Sequence, residues 1–540
     1  MANEAATAPA RPAKDSAARH SQGASKRHAF LVGSGIFLSR IAGLVRQRIF
    51  AHYFGNSDAA DAFNAAFRIP NFLQNLFGEG VLSASFIPVY AGLLAREDDE
   101  EARRTAGAVA ALLALTTSVL VLIGLVATPY LIDAIAPGFH GAKRELTIRL
   151  VRILFPGAGL LVFSAWCLGI LNSHRRFFLS YTAPVIWNAA MIATLWGFGG
   201  RYAQYPLAAI VAWGSVVGSA LQVGVQLPVV LKLLHGLKLS LHQTPNVKTV
   251  VQNFGPVFVG RGVVQISGYV DAWLASWLGT GALSAFSYAQ LLFTLPVSLF
   301  GMSVSAAELP HMSGALGDDR EIAEALRARL DPGLRQIAFF VLPSVVAFLA
   351  LGDVIVAALY QTGRFTHSDS IYVWAILAGA TVGLLSSTLG RLYSSAYYAL
   401  RDTRTPLRFA VIRVVLTTGL GYLCALPLPR WVGLDPRWGA AGLTASAGVA
   451  GWVEFTLLRR TMNRRIGQTG LPASLVAKLW TSAALAAAAG WGVKLALGNR
   501  HPLIFGALII GTYGAIYFAA AYLLGVEECR SALRRILRSR

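Results

Sequence analysis

Apolar stretches long enough to cross a hydrocarbon layer, about 20 residues each, recur from residue 28 to residue 526 of this 540-residue chain. A spanning segment must satisfy its backbone N–H and C=O groups without water, and a helix does so within one segment. Only 14% of the residues are charged and 55% are hydrophobic, with a mean hydropathy of +0.55. Soluble domains carry about 25% charged residues, so a water-soluble protein of several domains is excluded. The expected fold is an all-α polytopic membrane protein of 14 transmembrane helices. Their limits fall near 29–54, 59–91, 106–133, 149–171, 180–198, 206–231, 250–278, 283–310, 336–361, 371–399, 407–427, 439–458, 474–497 and 502–525.

The net charge of +21 would suggest nucleic acid in a soluble protein. No nucleic-acid-binding signature accompanies it, and basic loops on the cytoplasmic side account for the excess. An even number of spans puts both termini on one side. That side also holds Arg103/Arg104, Arg175/Arg176, Lys232/Lys238, the Asp318–Arg335 linker, Arg401/Arg404/Arg408, Arg459/Arg460/Arg464/Arg465 and the last residues from Arg530. Both termini are therefore expected in the cytoplasm, with the chain multi-pass in a bacterial inner membrane. Residues 1–27, rich in Ala, Pro and Ser and without an apolar core, read as a disordered basic tail rather than a signal peptide.

No enzyme chemistry emerges. There is no G-x-x-x-x-G-K-[ST] phosphate loop, no G-x-S-x-G elbow, and the ten histidines and three cysteines are scattered without metal-ligand spacing. No cofactor or metal is expected. A weak internal repeat does emerge: FG…RIP…LFG…SFIP over 54–88 and LG…TLP…LFG…AELP over 278–310. Six spans apart, these segments suggest two six-helix lobes related as parallel repeats, the layout of an alternating-access transporter. The expected divisions are an N-lobe at 28–235, a C-lobe at 236–470, two C-terminal helices within 471–526 and a basic tail at 527–540.

Charges inside spans cost about 2.5–3.5 kcal/mol each on insertion scales and usually face a cavity or one another. Span 1 carries Arg40, Arg46 and Arg48, and Gly43 is the hinge that would let the first two face one lumen. Span 2 carries Asp61, Arg68, Asn75 and Glu79 at spacings of 7, 7 and 4, one helical stripe. That stripe would run about 27 Å, lining a hydrated path or pairing with Arg40 or Arg46. Span 7 adds Arg261 and Asp271, span 10 adds Arg391, and Glu454 in span 12 could be a helix-end charge. The excess of buried Arg suits a pyrophosphate, which a guanidinium binds bidentately; a cationic drug would want an acidic, aromatic cavity.

The segment SRIAGLVRQRIFAHYFGNSDAADAFNAAFRIPNFLQNLFGEGVLSASFIPVY (39–90) resembles the MurJ/MviN lipid II flippase family of the multidrug/oligosaccharidyl-lipid/polysaccharide exporter superfamily. APGF (136–139), ILNSHRRF (170–177), Ala183-Pro184 with Asn188, YQTGRFT (360–366) and DTRTP (402–406) follow in the family's order. The resemblance implies 14 helices, two lobes, and spans 13 and 14 cradling a prenyl tail. It implies flipping of lipid II, the undecaprenyl-pyrophosphate-linked disaccharide-peptide, for peptidoglycan synthesis. The substrate site carried over is Ser39, Arg40, Arg46, Asp61, Arg68, Glu79, Ser284 and Arg391. This sequence departs from the family at Gln74, where a basic residue is common, and at Gln290-Leu291, where Asp-Arg is usual; Arg261 is the proposed substitute for the missing arginine. Membrane lipids are the other expected partners. The drive could be a coupling ion, with Asp271 and Glu454 as possible sites, or the membrane potential. Two alternatives stay open: export of another polyprenyl-linked oligosaccharide, and a non-transporting scaffold of a cell-wall complex.

Overall fold

A computed structural model describes residues 34–538 except 36, 243, 315–316 and 498–500; the side chains of 79, 256, 259–267, 532–533 and 535–538 also lie outside the described set. Among the described residues the chain is helical, without strands. After α1 (37–54) come α2 (Asp58–Phe77), α3 (Glu79–Ser85), α4 (Ile87–Ala95), α5 (Asp99–Ile135), α6 (Gly141–Ser173), α7 (Phe177–Phe198), α8 (Gln204–Leu234) and α9 (Pro245–Ser276). Then follow α10 (Ala282–Pro296), a π-helical stretch Val297–Met302, α11 (Ser303–Ser313), α12 (Asp319–Tyr360), α13 (His367–Thr381) and α14 (Leu384–Ala399). The last elements are α15 (Arg404–Ala425), α16 (Pro427–Trp431), α17 (Gly439–Ile466), α18 (Ala473–Leu497), α19 (Pro502–Leu523) and α20 (Glu527–Arg538).

Among the described residues helix stands within every expected span, and length and apolarity support 11 crossings there, or 12 if α13 and α14, bent by 40°, count as one. The two positions left over are α1 and α9. The expected first span begins outside the described residues, and its described part carries Arg40, Arg46 and Arg48; α9 carries Lys248, Gln252, Asn253, Arg261 and Asp271. Both repeat segments are interrupted spans. The first divides into α2, α3 and α4 at Gly78 and Phe86, and the second into α10, the π stretch and α11.

The Asp318–Arg335 stretch is not a loop. It is the first half of α12, a 42-residue helix started by a capping box in which Asp318 accepts from the Glu321 N–H and Glu321 bonds back. At 1.5 Å per residue α12 is about 63 Å long, twice the hydrocarbon thickness. Residues 1–27 lie outside the described residues, while the expected basic tail at 527–540 is largely the helix α20.

By internal packing the chain forms two units. Unit 1 takes the chain up to Arg46 with Phe67–Thr128 and Arg149–Val263; unit 2 takes Gln47–Ala66, Pro129–Ile148 and everything from Val264. The divisions run through helices, so each unit combines segments that chain order would assign to different lobes. The core of unit 1 gathers Leu82, Phe86, Leu113, Trp166, Ile170 and Val230. Across it Ser164 donates to Gln226 at 2.6 Å and accepts from Gln222 at 2.8 Å, joining α6 to α8. In unit 2, α18 and α19 pack on α12 through Phe339, Leu342, Leu351, Leu479 and Ile509. Pro343 has no N–H for the Phe339 carbonyl one turn back, and the Tyr517 hydroxyl donates to that carbonyl at 2.6 Å. The Tyr513 hydroxyl donates to the Pro343 carbonyl at 2.7 Å. The C-terminal pair is thus fastened where proline opens α12.

The DTRTP motif builds the start of α15. Asp402 accepts from the Thr405 N–H at 3.0 Å and its hydroxyl at 2.7 Å, and pairs with Arg465 of α17 at 2.8 Å. The Thr405 N–H, its hydroxyl and Arg465 together hold the Asp402 carboxyl below its usual range. A carboxylate depressed in the folded state stabilises above its unfolded pKa, about 3.9, and loses that contribution as pH falls through the folded value. Asp402→Asn should therefore lower thermal stability at neutral pH and narrow its gap to the parent below about pH 4; a gap constant with pH would remove this role.

Candidate functional site

Three short connections meet at one end of unit 2, residues 55–57, 136–140 and 277–281, and a buried carboxylate ties them together. Asp61, in the first turn of α2, is fully buried. It accepts from Lys143 Nζ at 2.7 Å and from the backbone N–H groups of Gly281 at 2.7 Å and Ser284 at 2.8 Å. Lys143 also pairs with Asp58 at 2.9 Å and lies over the Phe139 ring at 4.2 Å. Asp58 accepts in turn from the Thr280 hydroxyl at 2.9 Å. The two N–H groups come from the loop before α10 and from its first turn, where donors are unsatisfied and the dipole favours an anion.

Close approach of the backbones explains the glycines. A Cβ on Gly138 of the APGF motif would sit 2.2 Å from the Ser276 carbonyl oxygen, while the Gly138 N–H donates to the Ser276 hydroxyl at 3.2 Å. Gly281 has φ +82°, and its missing Cβ would meet Asn56 at 2.9 Å. The YQTGRFT motif holds the end of α1 within the same unit. The Arg364 N–H donates to the His52 carbonyl at 2.8 Å, His52 Nδ1 meets the Thr362 hydroxyl at 2.9 Å, and Asn56 reaches Asp369 at 3.2 Å. Tyr288, fully buried, donates to the Gly55 carbonyl at 3.1 Å. Arg48 donates to the carbonyls of Ala358 and Leu359 at 2.6 and 2.8 Å, capping the C-terminus of α12.

The polar stripe of span 2 does not continue as one helix. Asp61, Arg68 and Asn75 belong to α2, but the chain leaves the helix at Gly78, whose backbone is extended (φ −87°, ψ −156°). The side chain of Glu79 beyond it lies outside the described residues, as does that of Arg261 on α9. Asp61 is fully buried, with Lys143 and two backbone amides as its partners. Lys143 was not singled out in the sequence because it opens a span, where a basic residue reads as a helix-end charge.

In unit 1, Arg46 is half-buried with its guanidinium 4.7 Å from the centroid of the Trp187 ring and Nη1 3.7 Å from Met191 Sδ. Trp187 is itself fixed, its Nε1–H meeting the carbonyl and hydroxyl of Ser215, both at 3.2 Å. Ser39 and Arg68 are half-buried and Arg40 is exposed. In unit 2, Ser284 is buried beside Asp61, and Arg391 is exposed on α14. Glu454 is not an isolated helix-end charge: Arg413 of α15 pairs with it at 3.2 Å. Arg413 also lines a cavity of about 170 Å³ with Asp271, Gln290, Ser387, Thr417 and Thr444. Among the described residues no group of three or more His, Cys, Asp or Glu could hold a metal ion.

The family model described as lipid II flippase MurJ matches residues 50–511. The lipid II flippase MurJ of Burkholderia cenocepacia is 31% identical over 92% of this chain and 97% of its own length. The probable lipid II flippase MurJ of Rhizobium tropici is also 31% identical, over 94% and 96%. Among solved structures, a lipid II flippase MurJ in an inward closed conformation superposes with a TM-score of 0.75 at 24% identity, covering 92% of this chain and 98% of that one. An inward-facing multidrug transporter of the MATE family gives 0.62 at 18% identity, over 81% and 98%. The fold is thus one shared with these transporters, and by sequence the chain belongs to the lipid II flippase MurJ family.

Proposed function

We propose that this multi-pass bacterial membrane protein carries lipid II from the cytoplasmic to the periplasmic leaflet of the inner membrane, with both its termini in the cytoplasm. The observation that carries the reading is the match to relatives of that name along nearly their whole length. Ser39, Arg40, Arg46, Arg68, Glu79, Arg261 and Arg391 are the candidates for holding the headgroup, its pyrophosphate taken by the guanidinium groups. A guanidinium stays charged at every relevant pH and offers a fork of donors to phosphate oxygens. Arg46, resting on Trp187, is pre-oriented by a ring that cannot turn without losing its bonds to Ser215. The prenyl tail stays in lipid beside α18 and α19. The drive comes from a coupling ion or from the membrane potential, worth about 2.3 kcal/mol per charge per 100 mV.

Asp61 and Ser284 take a second role in this reading, as a latch on the periplasmic side. Connections 55–57, 136–140 and 277–281 all lie opposite the tails when spans alternate. While latched, Asp61 and Lys143 neutralise each other away from water. On opening, both become hydrated, which offsets the loss of their bond, so the latch can alternate between two states rather than lock.

Two experiments follow from this reading. In a cysteine-free background carrying Ala282→Cys, buried in the parent, Asp61→Asn should raise labelling by a membrane-impermeant maleimide about tenfold, the worth of one charged hydrogen bond; unchanged labelling would remove the latch. In cells depleted of their own flippase, the parent chain should restore periplasmic precursor, read by leaflet-specific cleavage. Arg46→Ala should leave the precursor inside and Arg46→Lys should restore it in part. Restoration by Arg46→Ala would take Arg46 out of the site. Failure of a correctly inserted parent would point to another polyprenyl-linked substrate.

A further inference from the structure

A basic cavity stands apart from the residues discussed so far, on unit 1 where α5 and α9 begin and α8 ends. It measures about 600 Å³ and is lined by Arg103, Arg104, His235, Lys238 and His242, with Glu100 as its acidic member. Glu100 is committed to Arg104 one turn on. Among the described residues neither Arg103 nor Lys238 forms an ion pair, so two cations face the cavity unneutralised. Arg103 is half-buried and its Nη1 approaches the His235 carbonyl at 3.5 Å.

The walls are fixed in place. A Cβ on Gly107 of α5 would lie 2.2 Å from the Lys238 carbonyl oxygen, so the loop after α8 is pressed onto the α5 backbone. Asn246, opening α9, donates to Glu101 of α5 at 2.9 Å. His235 ends α8 in the left-handed region with φ 42°. Beyond it the chain alternates: Lys238 and His242 line the cavity, while Leu239 and Leu241 are 65% and 57% exposed. Two leucines held out beside a cationic cavity, at the ends of membrane helices, suit the boundary between headgroups and acyl chains.

We propose that this cavity binds the phosphodiester headgroup of an anionic phospholipid, with Arg103 and Lys238 on the phosphate and Leu239 and Leu241 anchored in the acyl region. A free phosphate would satisfy the cations but leave the leucines without a role. Basic pockets between membrane helices on the cytoplasmic side take such headgroups, each surface Lys or Arg contributing about 1 kcal/mol. The site is independent of the transported substrate.

The test uses the full chain in phosphatidylcholine vesicles containing a photoactivatable phosphatidylglycerol, with cross-links mapped to peptides. The parent should cross-link at 237–242. Unlabelled phosphatidylglycerol should suppress the signal, whereas additional phosphatidylcholine or millimolar inorganic phosphate should not. Arg103→Gln with Lys238→Gln should cut it roughly tenfold, two cation contacts being lost. Leu239→Ser with Leu241→Ser should also weaken it. Should the cation variant fail to fold by its thermal transition, competition on the parent still decides. Cross-links that persist in the folded cation variant, or are not suppressed by unlabelled phosphatidylglycerol, overturn the site. Suppression by inorganic phosphate overturns the lipid as its ligand and leaves a soluble anion.

Discussion

A carboxylate with no access to water is the constraint around which one end of unit 2 is arranged. Asp61 is tolerable there only because a cation and two backbone N–H groups are aimed at it. Meeting that demand fixes the start of α6, which supplies Lys143, and the start of α10, which supplies the amides. It also requires three connections to approach closely, so side chains are excluded where backbones touch, at Gly138 and Gly281. The APGF motif is part of this arrangement: Gly138 accepts the contact with Ser276, and Phe139 lies under the Lys143 ammonium.

The same demand, that no polar group be left without a partner away from water, appears elsewhere in other forms. Pro343 frees a carbonyl in the middle of α12, and Tyr517 satisfies it from α19. Arg48 answers the open carbonyls at the end of that helix. Glu454 is matched by Arg413. Each pairing joins segments far apart in the chain, so polar groups do much of the fastening where packing against lipid tails offers little hydrophobic drive.

Much of this was legible in advance because apolar run length is a direct physical requirement. Among the described residues helix stands within each span read from the sequence. Two positions do not stand out as crossings: the first span begins outside the described residues, and α9 carries charges that lower its apolarity. The Asp318–Arg335 stretch misled for a different reason: dense charge reads as a loop, whereas here it forms the largely exposed first part of a long, capped helix. The stripe through Asp61, Arg68, Asn75 and Glu79 assumed an unbroken helix, and Gly78 breaks it.

The sequence alone establishes that the chain crosses a membrane many times and that its motifs are those of one transporter family. These depend on composition, run length and local order, all properties of single segments. Tertiary structure decided the partners. That Asp61 answers Lys143, that Trp187 carries Arg46, and that Arg413 meets Glu454 could not be read in advance. Residue spacing places a side chain on a face of its own helix and says nothing of which distant helix packs against that face.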